Sequence, residues 1–192
     1  MMNGVIPYSA IADLTVQEAA ERIIASEKVR YGSLTMEDMV LNGNPGAIAF
    51  YDLHKEEYYG QGIYIMFDGN TPVYVGKAKK HFLHRFQSHL YYDPRPNWDW
   101  NKLVRSTANR KLSNYSGEYN YEEYRQALDI VLSYNVIRLN TFGVLEIGRL
   151  SRLESIIMKA LNQSFPNDLL NDRIGRMPSR LLYQTLSNLM NL

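Results

Sequence analysis

The stretch from Gly62 to Phe86, GIYIMFDGNTPVYVGKAKKHFLHRF, constrains the fold most. Ile63 to Phe67 is β-branched and aromatic and predicts a strand. Asp68-Gly69-Asn70 is a turn signal, and Pro72 to Val75 is the return strand, closed by Gly76. Lys79 to Leu90 then has Phe82, Leu83, Phe86 and Leu90 at helical spacing. On the same helix His81, Arg85 and His89 are spaced by four, so they share a face beside the apolar one. Taken alone, that face is explained by solvation.

Further elements follow along the chain. Thr15 with Glu18 is a capping box, and Val16, Ala19, Ala20, Ile23 and Ile24 recur as on a helix. Thr35 opens a second short helical pattern, stopped by Asn42-Gly43-Asn44-Pro45-Gly46. Tyr91 to Tyr124 is polar and aromatic, with NWDWNKLV as a short helix and NYSGEYNYEEYR as a loop entering another. Val136 to Phe142 predicts a strand and Ser151 to Gln163 a helix, and Pro178 leads into a C-terminal amphipathic helix. The expected class is α+β, a small antiparallel or mixed sheet flanked by helices. The expected organisation is an N-terminal helical arm over 1–57 for packing, dimerisation or DNA contact, a core over 58–172 with a Tyr-rich insertion at about 91–125, and a C-terminal helix over 173–192.

Composition narrows the function classes. No apolar run approaches the roughly 18 residues that span a bilayer, and the start, MMNGVIPYSA, carries no signal-peptide pattern. The chain has no cysteine, which removes disulfides, thiolate zinc sites and cysteine nucleophiles and suits the cytoplasm. A net charge of +1 does not by itself point to nucleic acid. Its distribution is more informative: Lys77, Lys79, Lys80, Arg85, Arg95, Lys102, Arg105 and Arg110 face only Asp93 and Asp99 over the same span.

Glu154, in RLESIIMKAL, lies among Leu153, Ile156, Ile157 and Leu161. Its neighbours four residues away are Leu150 and Met158, so no local ion pair answers it. A carboxylate at the edge of an apolar face needs a partner, either a basic side chain or a divalent cation.

The ordered set Gly62-Ile63-Tyr64, Tyr74-Val75-Gly76, Arg85, Glu154 and Asn167 resembles the GIY-YIG nuclease superfamily, over residues 58 to 172. Val75 stands for the usual isoleucine, the short Tyr64–Tyr74 spacing requires a tight hairpin, and Asn162 and Asn171 compete with Asn167. Within the superfamily the chain is most similar to the small type II restriction endonucleases. The resemblance implies hydrolysis of double-stranded DNA with one Mg²⁺ (or Mn²⁺) held by Glu154, in a homodimer, with a cognate methyltransferase encoded nearby. It implies charge stabilisation by Arg85 and activation of water by Tyr64, its pKa depressed by Lys77 and Arg85. Tyr74 would orient the phosphate or assist proton transfer, and His89 would support the site or replace Tyr64 as base. Lys79, Lys80, Arg95, Lys102, Arg105 and Arg110 are the candidate DNA contacts, in or beside the stretch from Tyr91 to Arg125. Two alternatives stay open: a structure-specific repair or mobile-element nuclease, and a DNA-binding module that does not cut.

Overall fold

Two strands whose residues are apolar on both faces need cover on both faces. Strand β3 (Gly62–Asp68) is buried from Gly62 to Phe67, and β4 (Thr71–Ala78) is buried at most positions. They form an antiparallel hairpin in which Asp68 pairs with Thr71 across a two-residue turn, and Gly69 takes the left-handed φ of 59° that this turn demands. The structure is a computed structural model that describes residues 4–32, 60–79, 82, 85, 86, 89, 102–172 and 174–191.

A third strand, β5 (Asn135–Asn140), pairs antiparallel with β3 on the side away from β4. Two short strands add to the other edge of β5: β1 (Val5–Pro7) in parallel and β2 (Val29–Arg30) antiparallel. The result is an α+β fold with a mixed five-stranded sheet, ordered β1-β5-β3-β4 with β2 also on β5, flanked by helices.

Alternation along the strands sends side chains to two cores. Ile63, Ile65, Phe67, Val75, Ile137 and Leu139 face a layer made by α1 (Val16–Ala25) and the long helix here numbered α4 (Leu150–Ser164). On the opposite face Tyr64, Met66 and Val136 pack with Phe82 and Phe86, and with α2 (Lys102–Lys111) and α3 (Tyr121–Ser133). Phe82, Arg85, Phe86 and His89 are helical, on the segment that follows β4. Two short helices, α5 (Ser179–Leu182) and α6 (Leu186–Asn191), close the first core.

Residues 4–32, expected as an N-terminal helical arm, are woven into the main body. They supply two strands of the sheet, and α1 buries Val16, Ala19, Ala20 and Ile23 in its core. The Thr15–Glu18 capping box is formed on both sides, with Thr15 N donating to Glu18 Oε2 at 2.9 Å and Glu18 N to Thr15 Oγ1 at 3.2 Å. The expected second helix at Thr35 lies outside the described residues. The stretch expected as an insertion contributes α2 and the start of α3, which bury Leu103, Val104, Ala108 and Tyr124 in the second core. Among the described residues no helix is long and apolar enough to cross a membrane.

Candidate active site

Tyr64, on β3, sits in register with Gly76 on β4 and with Arg138 on β5. The two motif glycines have steric causes. A Cβ on Gly76 would fall 2.2 Å from the Tyr64 hydroxyl and 2.3 Å from its Cζ, so the tyrosine ring occupies the space a side chain would need. A Cβ on Gly62 would fall 1.9 Å from the Leu139 carbonyl oxygen, so glycine there lets β3 approach β5.

The Tyr64 hydroxyl lies between two groups from the helix after β4. Arg85 Nε donates to it at 3.2 Å, and the hydroxyl is in hydrogen-bond contact with His89 Nε2. His89 is buried, and desolvation followed by the nearby Arg85 charge pushes its pKa down to about 3. A neutral imidazole carries one ring proton; in the tautomer with that proton on Nδ1, Nε2 accepts and Tyr64 is the donor of this bond. Burial also holds the Tyr64 phenol well above its usual pKa, and the charge of Arg85 only partly offsets it. The expected depression of Tyr64 by Lys77 and Arg85 is therefore reversed in this state: desolvation exceeds the cationic contribution.

Tyr74 continues the cluster. Its ring lies 6.1 Å from that of Tyr64 and 5.8 Å from that of His89. Burial raises the pKa of its phenol, with the Arg85 charge opposing that rise and the Glu154 charge adding to it. Tyr64 is fully buried, whereas Tyr74 and Arg85 are half-buried and so reach toward solvent.

Lys77 pairs with Ile63 across the hairpin and therefore projects to the opposite face from Tyr64, toward α4. There its Nζ meets Glu154 Oε2 at 2.6 Å, with the two side chains 28% and 22% exposed. This supplies the basic partner that Glu154 required, and it engages Lys77 with the carboxylate rather than with Tyr64. The candidate site thus wraps around β4, the outer strand of the described sheet: Tyr64, Tyr74, Arg85 and His89 on one side, Lys77 and Glu154 on the other.

The donor set suits a hard, hydrated cation. Glu154 offers one carboxylate beside a phenol, and among the described residues no group of three or more His, Asp or Glu comes together. Mg²⁺ keeps several waters and takes few carboxylates, so a single part-buried glutamate fits it.

The asparagine that reaches this strand is Asn171, not Asn167. Asn171 Nδ2 donates to the Val75 carbonyl at 2.7 Å, and Val75 N donates to Asn171 Oδ1 at 2.9 Å. Leu170 N adds a bond to the Val73 carbonyl at 2.6 Å, so this segment caps the outer edge of β4 as a further strand would. Asn167 is exposed, with φ of 70° in the turn after α4, a conformation asparagine tolerates better than most residues. Its spacing from Glu154 reflects that turn.

Of the expected DNA contacts, Lys79, Lys102 and Arg105 are exposed. Arg110 instead holds the carbonyls of Asp168 and Leu169, which ties α2 to the segment that caps β4. Lys80 and Arg95 lie outside the described residues. Sequence reasoning missed Tyr31, which is fully buried, donates from its hydroxyl to the Phe86 carbonyl at 3.1 Å and packs edge-on against that ring. It braces the helix between Arg85 and His89; its position beside β2 gives no local signal of this. The chain matches no family model, no curated protein and no solved structure.

Proposed function

We propose that the chain is a Mg²⁺-dependent endonuclease of the GIY-YIG type that cuts double-stranded DNA at a specific sequence. The observation that carries this reading is the Tyr64 hydroxyl held between Arg85 Nε and a neutral His89 Nε2. That arrangement supports proton removal from a nucleophile beside a fixed positive charge. A merely structural tyrosine has no need of both.

Because Tyr64 is buried and Tyr74 is not fully so, the proton path runs from the outer tyrosine inward. A water attacks phosphorus as its proton passes to the Tyr74 oxygen; the Tyr74 proton moves to Tyr64, and the Tyr64 proton moves to His89 Nε2. The bond from phosphorus to the leaving oxygen breaks, and that oxygen takes a proton from solvent. His89 is a weak base in the free protein. Entry of a phosphodiester anion favours its protonated form and raises its affinity for the proton. Arg85 is placed to donate to the phosphoryl oxygens as charge develops there. Glu154 would hold Mg²⁺, which when bound would supply Lewis-acid polarisation of the phosphate. Lys77, whose Nζ donates to Glu154 Oε2, orients that carboxylate.

A two-fold homodimer would present two such sites to a palindrome and so cut both strands. Supercoiled plasmid incubated with the protein and Mg²⁺ is expected to yield discrete linear fragments, with none in chelator. Nicking restricted to branched or damaged DNA would move the reading to a structure-specific nuclease, and tight binding without cutting to a DNA-binding module.

A further inference from the structure

A cleft of about 460 Å³ is lined in part by α2 and shares no lining residue with the catalytic cluster. Helix α2 buries Leu103, Val104, Thr107 and Ala108. Its other face therefore aligns Lys102, Arg105, Ser106 and Asn109, which line the cleft with Tyr115 and Asp172. Cations stand at both ends of the helix, and the carboxylate of Asp172 joins them in the lining of the cleft. Lys102 begins the helix. Arg110, next to Asn109, grips the carbonyls of Asp168 and Leu169, so the segment that carries Asp172 meets α2 at its far end. Asn109 lies seven positions after Lys102 on the helix, a rise of about 10 Å.

The cleft is joined to the catalytic strand. Asp172 follows Asn171, whose amide is bonded to both backbone groups of Val75, next to Tyr74. Adding these steps, the Asp172 end lies within roughly 20 Å of the Tyr74 hydroxyl, about half a turn of B-DNA.

We propose that this cleft determines sequence specificity: Lys102 and Arg105 hold a backbone phosphate, and Asn109 and Asp172 read base edges in the major groove. The proposal rests on the nuclease reading above. A carboxylate repels phosphate, so Asp172 suits contact with a base edge, and its acceptor oxygens match the exocyclic amino group of cytosine or adenine. Asn109 presents a donor and an acceptor side by side, the pattern that matches an adenine edge. Backbone contacts fix register while such groups carry the sequence information.

The test uses the full chain with Glu154→Ala, which binds without cutting, and selects from a randomised duplex DNA pool. Adding Asn109→Ala or Asp172→Ala is expected to relax the selected sequence at one position and weaken cognate binding on the order of 10- to 100-fold, leaving binding to random DNA unchanged. Adding Lys102→Ala is expected to weaken both equally and lower the salt slope by about one. All three positions are exposed, so melting temperatures should match the parent. If all three variants select the same sequence with the same affinity and salt slope as the parent, the cleft does not contact DNA. Equal competition by duplex RNA overturns the base-reading role, since its deep groove excludes side chains. If wild-type protein cuts no DNA and the parent binds none, the nuclease reading itself has failed. Cutting with specificity unaltered in these variants removes the cleft alone.

Discussion

At the scale of single residues, the Tyr74–Tyr64–His89 chain makes a distinctive kinetic claim. If the three pass one proton, Tyr64→Phe and Tyr74→Phe should each lower kcat by about 10²–10⁴-fold. The double variant should be little worse than either single one, because residues acting as a unit are not additive. Strictly additive losses in single-turnover cleavage would refute the relay. His89 also sets a pH dependence of stability. Its folded pKa, near 3, is below the unfolded value of about 6.5, so the unfolded chain binds the extra proton between these limits. Stability is therefore unaffected by this group above about pH 6.5 and falls as the pH drops toward 3, by up to about 1.4 kcal/mol per unit. Melting curves of wild type and His89→Gln from pH 7.5 to 4.5 should show a shallower decline in the variant.

At the scale of elements, the hairpin and its cap are the points of greatest sensitivity. In Gly76→Ala the added methyl would meet the ring and hydroxyl of a fully buried Tyr64, and neither β4 nor the ring has room to retreat. Overpacking of this kind costs about 1–3 kcal/mol, and urea melts should read it with loss of cleavage. Asn171→Ala removes both bonds to Val75 and leaves a part-buried N–H and C=O without that partner, a loss of about 1–3 kcal/mol. Asn167→Ala, at an exposed turn, should change activity little; its left-handed φ leaves only a small strain term. Equal effects of the two asparagine variants on cleavage would argue against the assignment of Asn171 to β4.

The same elements explain what the sequence made readable. The β3–β4 hairpin, α1 with its capping box, β5 and α4 follow local rules of alternation, helical period and turn chemistry, and each was expected close to its observed bounds. Strands β1 and β2 have three and two residues and exist only because β5 offers them an edge, a pairing more than a hundred residues away that no local pattern encodes. In the candidate site, Tyr64, Tyr74, Arg85 and His89 were legible as spacings within one stretch. The Lys77–Glu154 pair and the Asn171 clasp join parts of the chain 77 and 96 residues apart. Spacing alone could not choose Asn171 over Asn167, because the turn after α4 decides which amide comes back to the sheet.

At the scale of the whole molecule, a two-sided sheet separates the roles proposed here. One face carries the tyrosines, Arg85 and His89, the other carries Glu154 with Lys77, and β4 runs between them with its outer edge capped. Such a site stays assembled only while both helical layers remain docked, so unfolding of either layer should abolish cleavage along with structure. The central claim is that these groups together hydrolyse DNA. Its most direct test is single-turnover cleavage of supercoiled plasmid in Mg²⁺ by wild type, Arg85→Ala and Glu154→Ala, each shown by circular dichroism to be folded. The account predicts discrete linear products from the wild type and a loss of at least about 10²-fold in each variant. An intact plasmid with folded wild-type protein, or cleavage undiminished in Glu154→Ala, would contradict it.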